Sequence, residues 1–184
     1  ECKKCKYKSN RFELFLNLQL NINDSNNTIY DFLDYYIKKE QLEQSNSVWC
    51  NFCFEKNRAY KSNFIWKTPK ILIINFKRFK YNNYGMITNK NTKFIKYPIE
   101  GLNIKKYINP NSPYIDKCKY NLFGVNIHQS MGGSNNINFG HYTSCIKNRY
   151  DYKWYIFDDN KVNIAKMNDI VNKNSYLLFY LREN

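Results

Sequence analysis

A chain of 184 residues that is 43% hydrophobic and 18% aromatic can bury the core of one ordinary domain, or of one domain with a small appendage. No stretch approaches the roughly 20 consecutive apolar residues of a membrane span, so no membrane partner is expected. The formal charge of +14 comes from 24 Lys and 5 Arg against 15 acidic residues. No block of five or six cations forms an arm, so the charge reads as spread over solvated faces and a nucleic-acid partner is not expected. The chain begins at Glu1 without a starting Met and shows no signal peptide, and is expected to be a piece of something longer.

Cys2 and Cys5 form the first C-x-x-C pair. Residues 12–22, FELFLNLQLNI, then alternate: Phe12, Leu14, Leu16, Leu18, Leu20 and Ile22 share one face, which predicts a half-buried strand. NDSNN reads as a turn. Thr28 with Asp31 resembles a capping box, and Ile29, Phe32, Leu33, Tyr36 and Ile37 follow at helical spacing, which predicts an amphipathic helix over residues 28–43. Cys50 and Cys53 form the second C-x-x-C pair.

AYKSNFIWK reads as a strand, Pro69 punctuates, and KILIINFKRF is a nearly continuous apolar run that predicts a central strand. KYNNYGMITNKN reads as a polar loop. TKFIKYP, KYNLFGVNIH, GHYTSCIK, KWYIFDD and SYLLFYLR are further strand candidates, with the Gly/Ser/Asn loop QSMGGSNNINF between the second and third. One helix flanked by strands, then strand after strand, predicts an α+β or mostly-β domain with an antiparallel sheet.

Each two-residue gap in the cysteine pairs lets two thiolates converge on one ion. Four thiolates satisfy tetrahedral zinc and leave no open position, so Cys2, Cys5, Cys50 and Cys53 predict a structural Zn²⁺ site in a reducing compartment. The segment between the pairs, one strand and one helix, can return the chain to its start.

The chain holds only two histidines, and one of them stands near the beginning of GHYTSCIKNRYDYKWYIFDD. With a two-residue turn at Arg149 and Tyr150, the numbers of opposed residues sum to 299. Cys145 then faces Trp154, and His141 faces Asp158. A sum of 300 instead brings Asp159 opposite His141, and a longer loop remains open, because Arg-Tyr is a poor primed-turn pair. Opposition places a carboxylate to accept the imidazole Nδ1–H, leaving Nε2 as the base toward a nucleophile. Cys145 points inward in this register and reads as packed. His128, without an evident carboxylate partner, reads as structural.

The order C-x-x-C, alternating strand, helix, C-x-x-C, PKILIINFKRF, YNLFGVNIH, GHYTSC, WYIFDDNKV and YLLFYLR resembles the ubiquitin-specific proteases over nearly the whole chain. The resemblance implies a papain-like α+β fold. Its zinc-ribbon fingers would occupy residues 1–68 with the helix inserted, and its antiparallel palm residues 69–184. It implies that His141 is the catalytic base, Asp158 its orienting residue, and Asp159 an assistant near the oxyanion. Gly140 and Tyr142 would line the channel for the ubiquitin tail, gated by QSMGGSNNINF and KYNNYGMITNKN. The family's nucleophilic Cys box has no counterpart here, so the thumb is expected to be missing and the thiol to come from a segment absent from this chain. The implied activity is thiol hydrolysis of the isopeptide bond after ubiquitin's terminal glycine. The implied partners are ubiquitin and ubiquitinated proteins. A monomer in the cytoplasm, the nucleus or both is expected. The alternative is a catalytically inactive ubiquitin-binding module.

Overall fold

The computed structural model, which describes residues 1–130 and 140–183, reduces the alternation of residues 12–22 to a strand of four residues, β1 (Leu18–Asn21). β1 is an edge strand with one neighbour, and that neighbour begins at Ile71, just after Pro69. Phe12, Leu14 and Leu16 lie before the pairing starts and are exposed, with the Phe12 ring against Trp66 at 5.3 Å. Alternation states which side chains share a face; it does not supply a partner strand.

The helix α1 (Ile29–Ile37) starts as expected. The Thr28 hydroxyl accepts from the Asp31 N–H, and the Asp31 carboxylate accepts from the Thr28 N–H. It stops at Ile37, six residues short of the expected end, because the apolar stripe ends there. Ile29, Phe32 and Leu33 are buried, each stabilising by about 1.5–3 kcal/mol of transfer free energy. Four three-residue strands follow: β2 (Glu40–Leu42), β3 (Val48–Cys50), β4 (Glu55–Asn57) and β5 (Ala59–Lys61). They pair as two small antiparallel ribbons, β2 with β5 and β3 with β4. The strand expected from AYKSNFIWK is therefore only its first three residues, with one further bridge at Ile65.

β6 (Ile71–Lys77) is the interior strand its composition predicts; Leu72, Ile74 and Phe76 are fully buried. The expected polar loop after it is instead a hairpin of β7 (Phe79–Tyr81) and β8 (Ile87–Lys90). Its turn is closed by Asn82, whose side-chain oxygen accepts from the N–H of Tyr84 and of Met86, and by Gly85 at φ +76°. TKFIKYP makes only a bridge at Lys96 while burying Ile95 and Tyr97. The remaining strands are β9 (Leu102–Asn103), β10 (Lys119–Ser130), β11 (Gly140–Lys147), β12 (Trp154–Asp158), β13 (Lys161–Ile164) and β14 (Ser175–Arg182), with a short α2 (Met167–Ile170) before the last.

The large sheet runs β1-β6-β14-β10-β11-β12-β13, with β9 alongside β10. Every pair is antiparallel except β1 with β6, so the expected antiparallel sheet is in fact mixed. A parallel pair needs a long crossover, and here it contains α1 and all four short strands. Residues 18–37 thus join the core of the large sheet, packing with Leu178, Tyr180, Leu122 and Val125. The expected gating loop at 129–139 falls, from residue 131 on, outside the described residues. Among the described residues no helix is long and apolar enough to cross a membrane.

Candidate active site and thiol cluster

β11 and β12 pair as predicted, but their opposed residues sum to 301: Ser144 faces Phe157 and Cys145 faces Ile156, where Trp154 was expected. The two-residue turn at Arg149 and Tyr150 is replaced by a loop over residues 148–153. It is closed by the Asn148 N–H on the Lys153 carbonyl and turned by Tyr152 at φ +58°. A shift of two preserves parity, so every side chain keeps its predicted face. His141 and Asp158 are therefore diagonal neighbours on one face, within reach of each other.

The imidazole Nε2 lies 2.5 Å from Asp158 Oδ1. This reverses the expected use of the ring: with Nε2–H donating to the carboxylate, Nδ1 is the free base. The carboxylate is held by a second hairpin that sequence reasoning missed, in which Asp158 pairs with Lys161 across a two-residue turn. Asp159 takes the left-handed conformation there, φ +50°, which Asp tolerates better than most residues. An Asp-Asn pair between WYIF and KVNI is the signal that could have revealed this turn. His141, Asp158 and Asp159 bring their ligating atoms within 4.8 Å of one another.

The hydrogen bond that His141 donates to Asp158 holds the His141 pKa above the ordinary imidazole value; desolvation opposes it, and the charges of Asp158 and Asp159 add to the rise. A raised folded-state pKa means that the interaction's stabilisation is complete below about pH 6.5 and is lost as pH rises through the folded value. The His141 and Asp158 side chains are 32% and 50% exposed, so solvent screens the pair. Asp158→Ala is expected to drop the His141 midpoint to the ordinary imidazole range, and Asp159→Ala to lower it only slightly. An NMR titration in which both variants shift it equally would show that neither acid has the orienting role.

Gly140 opens β11, and an ideal Cβ there would lie 2.0 Å from His128 Nε2, so only glycine fits beneath that ring. Tyr142 is exposed, its ring 4.6 Å from the His128 ring and 6.2 Å from Tyr176. Burial, then the Lys90 charge, lowers the His128 pKa.

None of the six cysteines joins the His141 group. Cys145 is fully buried, its Sγ–H donates to the Asp169 carbonyl at 3.6 Å, and burial pushes its thiol up to about 11. Cys118 is buried and donates to the Asp116 carbonyl. The other four converge, with Sγ atoms within 4.8 Å of one another. The two knuckles fold identically. The Lys6 N–H donates to the Cys2 carbonyl and the Phe54 N–H to the Cys50 carbonyl, and Lys6 and Phe54 both adopt left-handed backbone, φ +65° and +54°. Cys5 Sγ lies 3.6 Å from Cys50 Sγ, close to the edge of a tetrahedron of thiolates about 2.3 Å from a zinc ion. The donor set and its spacing fit Zn²⁺.

An imidazole bonded to a carboxylate on one sheet is the arrangement of an acid–base pair, and the separate four-thiol cluster could hold a metal. A family model described as "Ubiquitin carboxyl-terminal hydrolase" matches residues 1–180, and the chain belongs to that family. Ubiquitin carboxyl-terminal hydrolase 15 of Homo sapiens is 36% identical over 156 residues, 84% of this chain and 15% of that protein. Ubiquitin carboxyl-terminal hydrolase 4 of Bos taurus is 34% identical over the same share of this chain, again 15% of its own length. The chain thus spans about 15% of the length of these relatives. Among solved structures, one of yeast SAGA DUBm with an Sgf73 mutant matches with a TM-score of 0.81 and 30% identity, over 100% of this chain and 39% of that one. The SAGA Ubp8/Sgf11/Sus1/Sgf73 DUB module bound to ubiquitin aldehyde gives a TM-score of 0.78 at 30% identity, with the same coverage. The resemblance to ubiquitin-specific proteases holds, and the fold is of their type.

Proposed function

We propose that this chain is the fingers and palm of a deubiquitinating cysteine protease whose nucleophilic thiol is supplied by a segment outside these residues. The observation that carries the reading is the 2.5 Å contact between His141 Nε2 and Asp158 Oδ1, which leaves Nδ1 free for a thiol. The palm is the large sheet at residues 69–184 together with β1 and α1, which pack in its core although the sequence division put them among fingers at residues 1–68. The fingers are then the two knuckles and the short ribbons, with Zn²⁺ on Cys2, Cys5, Cys50 and Cys53. The zinc holds the knuckles together and takes no part in the chemistry.

In the reaction, His141 Nδ1 takes the thiol proton as the sulfur attacks the carbonyl of ubiquitin's terminal glycine. Asp158 stabilises the imidazolium. The imidazolium then protonates the departing lysine amine and a thioester forms. Water, deprotonated by the same nitrogen, hydrolyses the thioester and regenerates the thiol. A carboxylate only accepts hydrogen bonds, so Asp159 assists near the oxyanion by orienting a donor such as water. Gly140 and Tyr142 line the passage for the ubiquitin tail.

The partners are ubiquitin and its conjugates, in the cytoplasm or nucleus. Six cysteines without a disulfide fit a reducing compartment. The matched module contains Sgf11, Sus1 and Sgf73 besides Ubp8, which supports further protein partners over an isolated monomer.

The test is capture by ubiquitin aldehyde of the longer protein that includes the thiol. Stable capture, lost on His141→Ala, is expected. Ubiquitin binding without capture would instead establish the inactive binding module, and a salt-sensitive shift with nucleic acid alone would defeat both readings.

A further inference from the structure

Strand β10 outruns its neighbour. Its last pair with β14 is Ile127 with Ser175, where β14 begins, yet β10 continues to Ser130. On the other side, β12 reaches β11 only from Ser144 onward. Among the described residues, 140–143 therefore pair as a strand with 127–130 alone, and His141 lies in that overhang, opposite Gln129. Two strands without a third are marginal in water.

The outer edge of the overhang is occupied by other groups. The His128 N–H donates to the Asn174 carbonyl at 3.0 Å, and the His128 carbonyl accepts from Lys90 Nζ at 2.5 Å. Lys90 and His128 are both buried, so without the ammonium this carbonyl would be a buried acceptor with nothing to bond. Lys90 sits opposite Phe79 in the β7–β8 hairpin, and the Phe79 ring packs edge-on against the His128 imidazole at 5.1 Å. The Nε2 and Cε1 atoms of that imidazole fill the space over Gly140. Hairpin, His128 and Gly140 form one packed chain that ends a residue before His141. Burial, then the Arg78 charge, pulls Lys90 down to about 8, and either protonation state of the amine keeps an N–H to donate to the His128 carbonyl.

We propose that Lys90 is a positioning residue for His141, bonding the His128 carbonyl in place of a missing strand and so fixing the overhang from which the imidazole reaches Asp158. The catalytic consequence rests on the deubiquitinase reading; the structural one does not, and two measurements separate them.

With two histidines in the chain, ring-labelled protein gives two sets of signals to follow. In Lys90→Met the His141 titration midpoint is expected to fall toward the ordinary imidazole value and its ring signals to broaden. In the longer protein, kcat on a ubiquitin conjugate is expected to fall about 10- to 100-fold with KM little changed. A folded Lys90→Met whose His141 midpoint matches the parent overturns the proposal, even if its melting temperature drops. Should that variant fail to fold, Lys90→Gln keeps a polar head one bond shorter and carries the same two expectations. A shifted midpoint in a protein that never hydrolyses ubiquitin conjugates upholds the positioning role and defeats the enzymatic reading.

Discussion

In the longer protein that supplies the thiol, His141→Ala is expected to lower turnover of a ubiquitin conjugate by about 10²–10⁴-fold, the range attached to a general base. No substitute is at hand. His128, the other histidine, is buried against Phe79, and burial favours its neutral form. Asp158 and Asp159 cannot take over, because a carboxylate is a poor base toward a thiol. The fold should be indifferent, since the His141 side chain is 32% exposed and contributes nothing to the buried cluster. Zinc content and melting temperature should therefore match the parent while hydrolysis collapses. Steady-state kinetics and metal analysis on one preparation check both halves. Turnover near the parental rate would mean that the base lies elsewhere; loss of zinc or of the folded state would mean that the lost activity says nothing about catalysis.

Sequence reading succeeded where a local pattern carries the information. GHYTSCIK and SYLLFYLR are β11 and β14 residue for residue, and the capping box of Thr28 and Asp31 is present. The imidazole–carboxylate pair was legible because parity decides which face a side chain takes. Parity survived a register error of two residues; a slip of one would have parted His141 from Asp158. The loop length itself was not legible, for residues 148–153 contain no Gly and the left-handed position falls on Tyr152. Nor was the parallel pairing of β1 with β6, because Leu18 meets Ile74 across a crossover that no short window can see. The choice of ring nitrogen depends on the angle at which His141 approaches Asp158, which only coordinates give. The role assigned to Lys90 was equally hidden: a lysine ending a polar run looks like a solvated cation until the run folds into a hairpin and buries it.

Cys50→Ser is expected to release the metal and unfold the region it closes, while the large sheet stays intact. Strands β2 to β5 have three residues each and pair only as two-stranded ribbons, which are marginal without a further constraint. A structural zinc would supply that constraint, with an apparent binding free energy of about 10–16 kcal/mol in small zinc-binding peptides. The α1 helix and β1 lie between the two cysteine pairs in sequence, yet their side chains belong to the core of the large sheet and should hold without the ion. The prediction is thus a protein that loses protection from amide exchange at residues 1–11 and 40–61 and keeps it in β6, β10 and β14. Metal analysis should fall from about one zinc per chain to less than half. Chelation of the parent should produce the same pattern and added zinc should reverse it, whereas the variant should not recover. A Cys50→Ser protein with a full equivalent of zinc, or a parent with all thiols free and less than half an equivalent, would leave the four sulfurs as a reduced cluster without a metal. The close contact between Cys5 and Cys50 would then hold the knuckles only as a weak sulfur hydrogen bond, too little to fix ribbons this short.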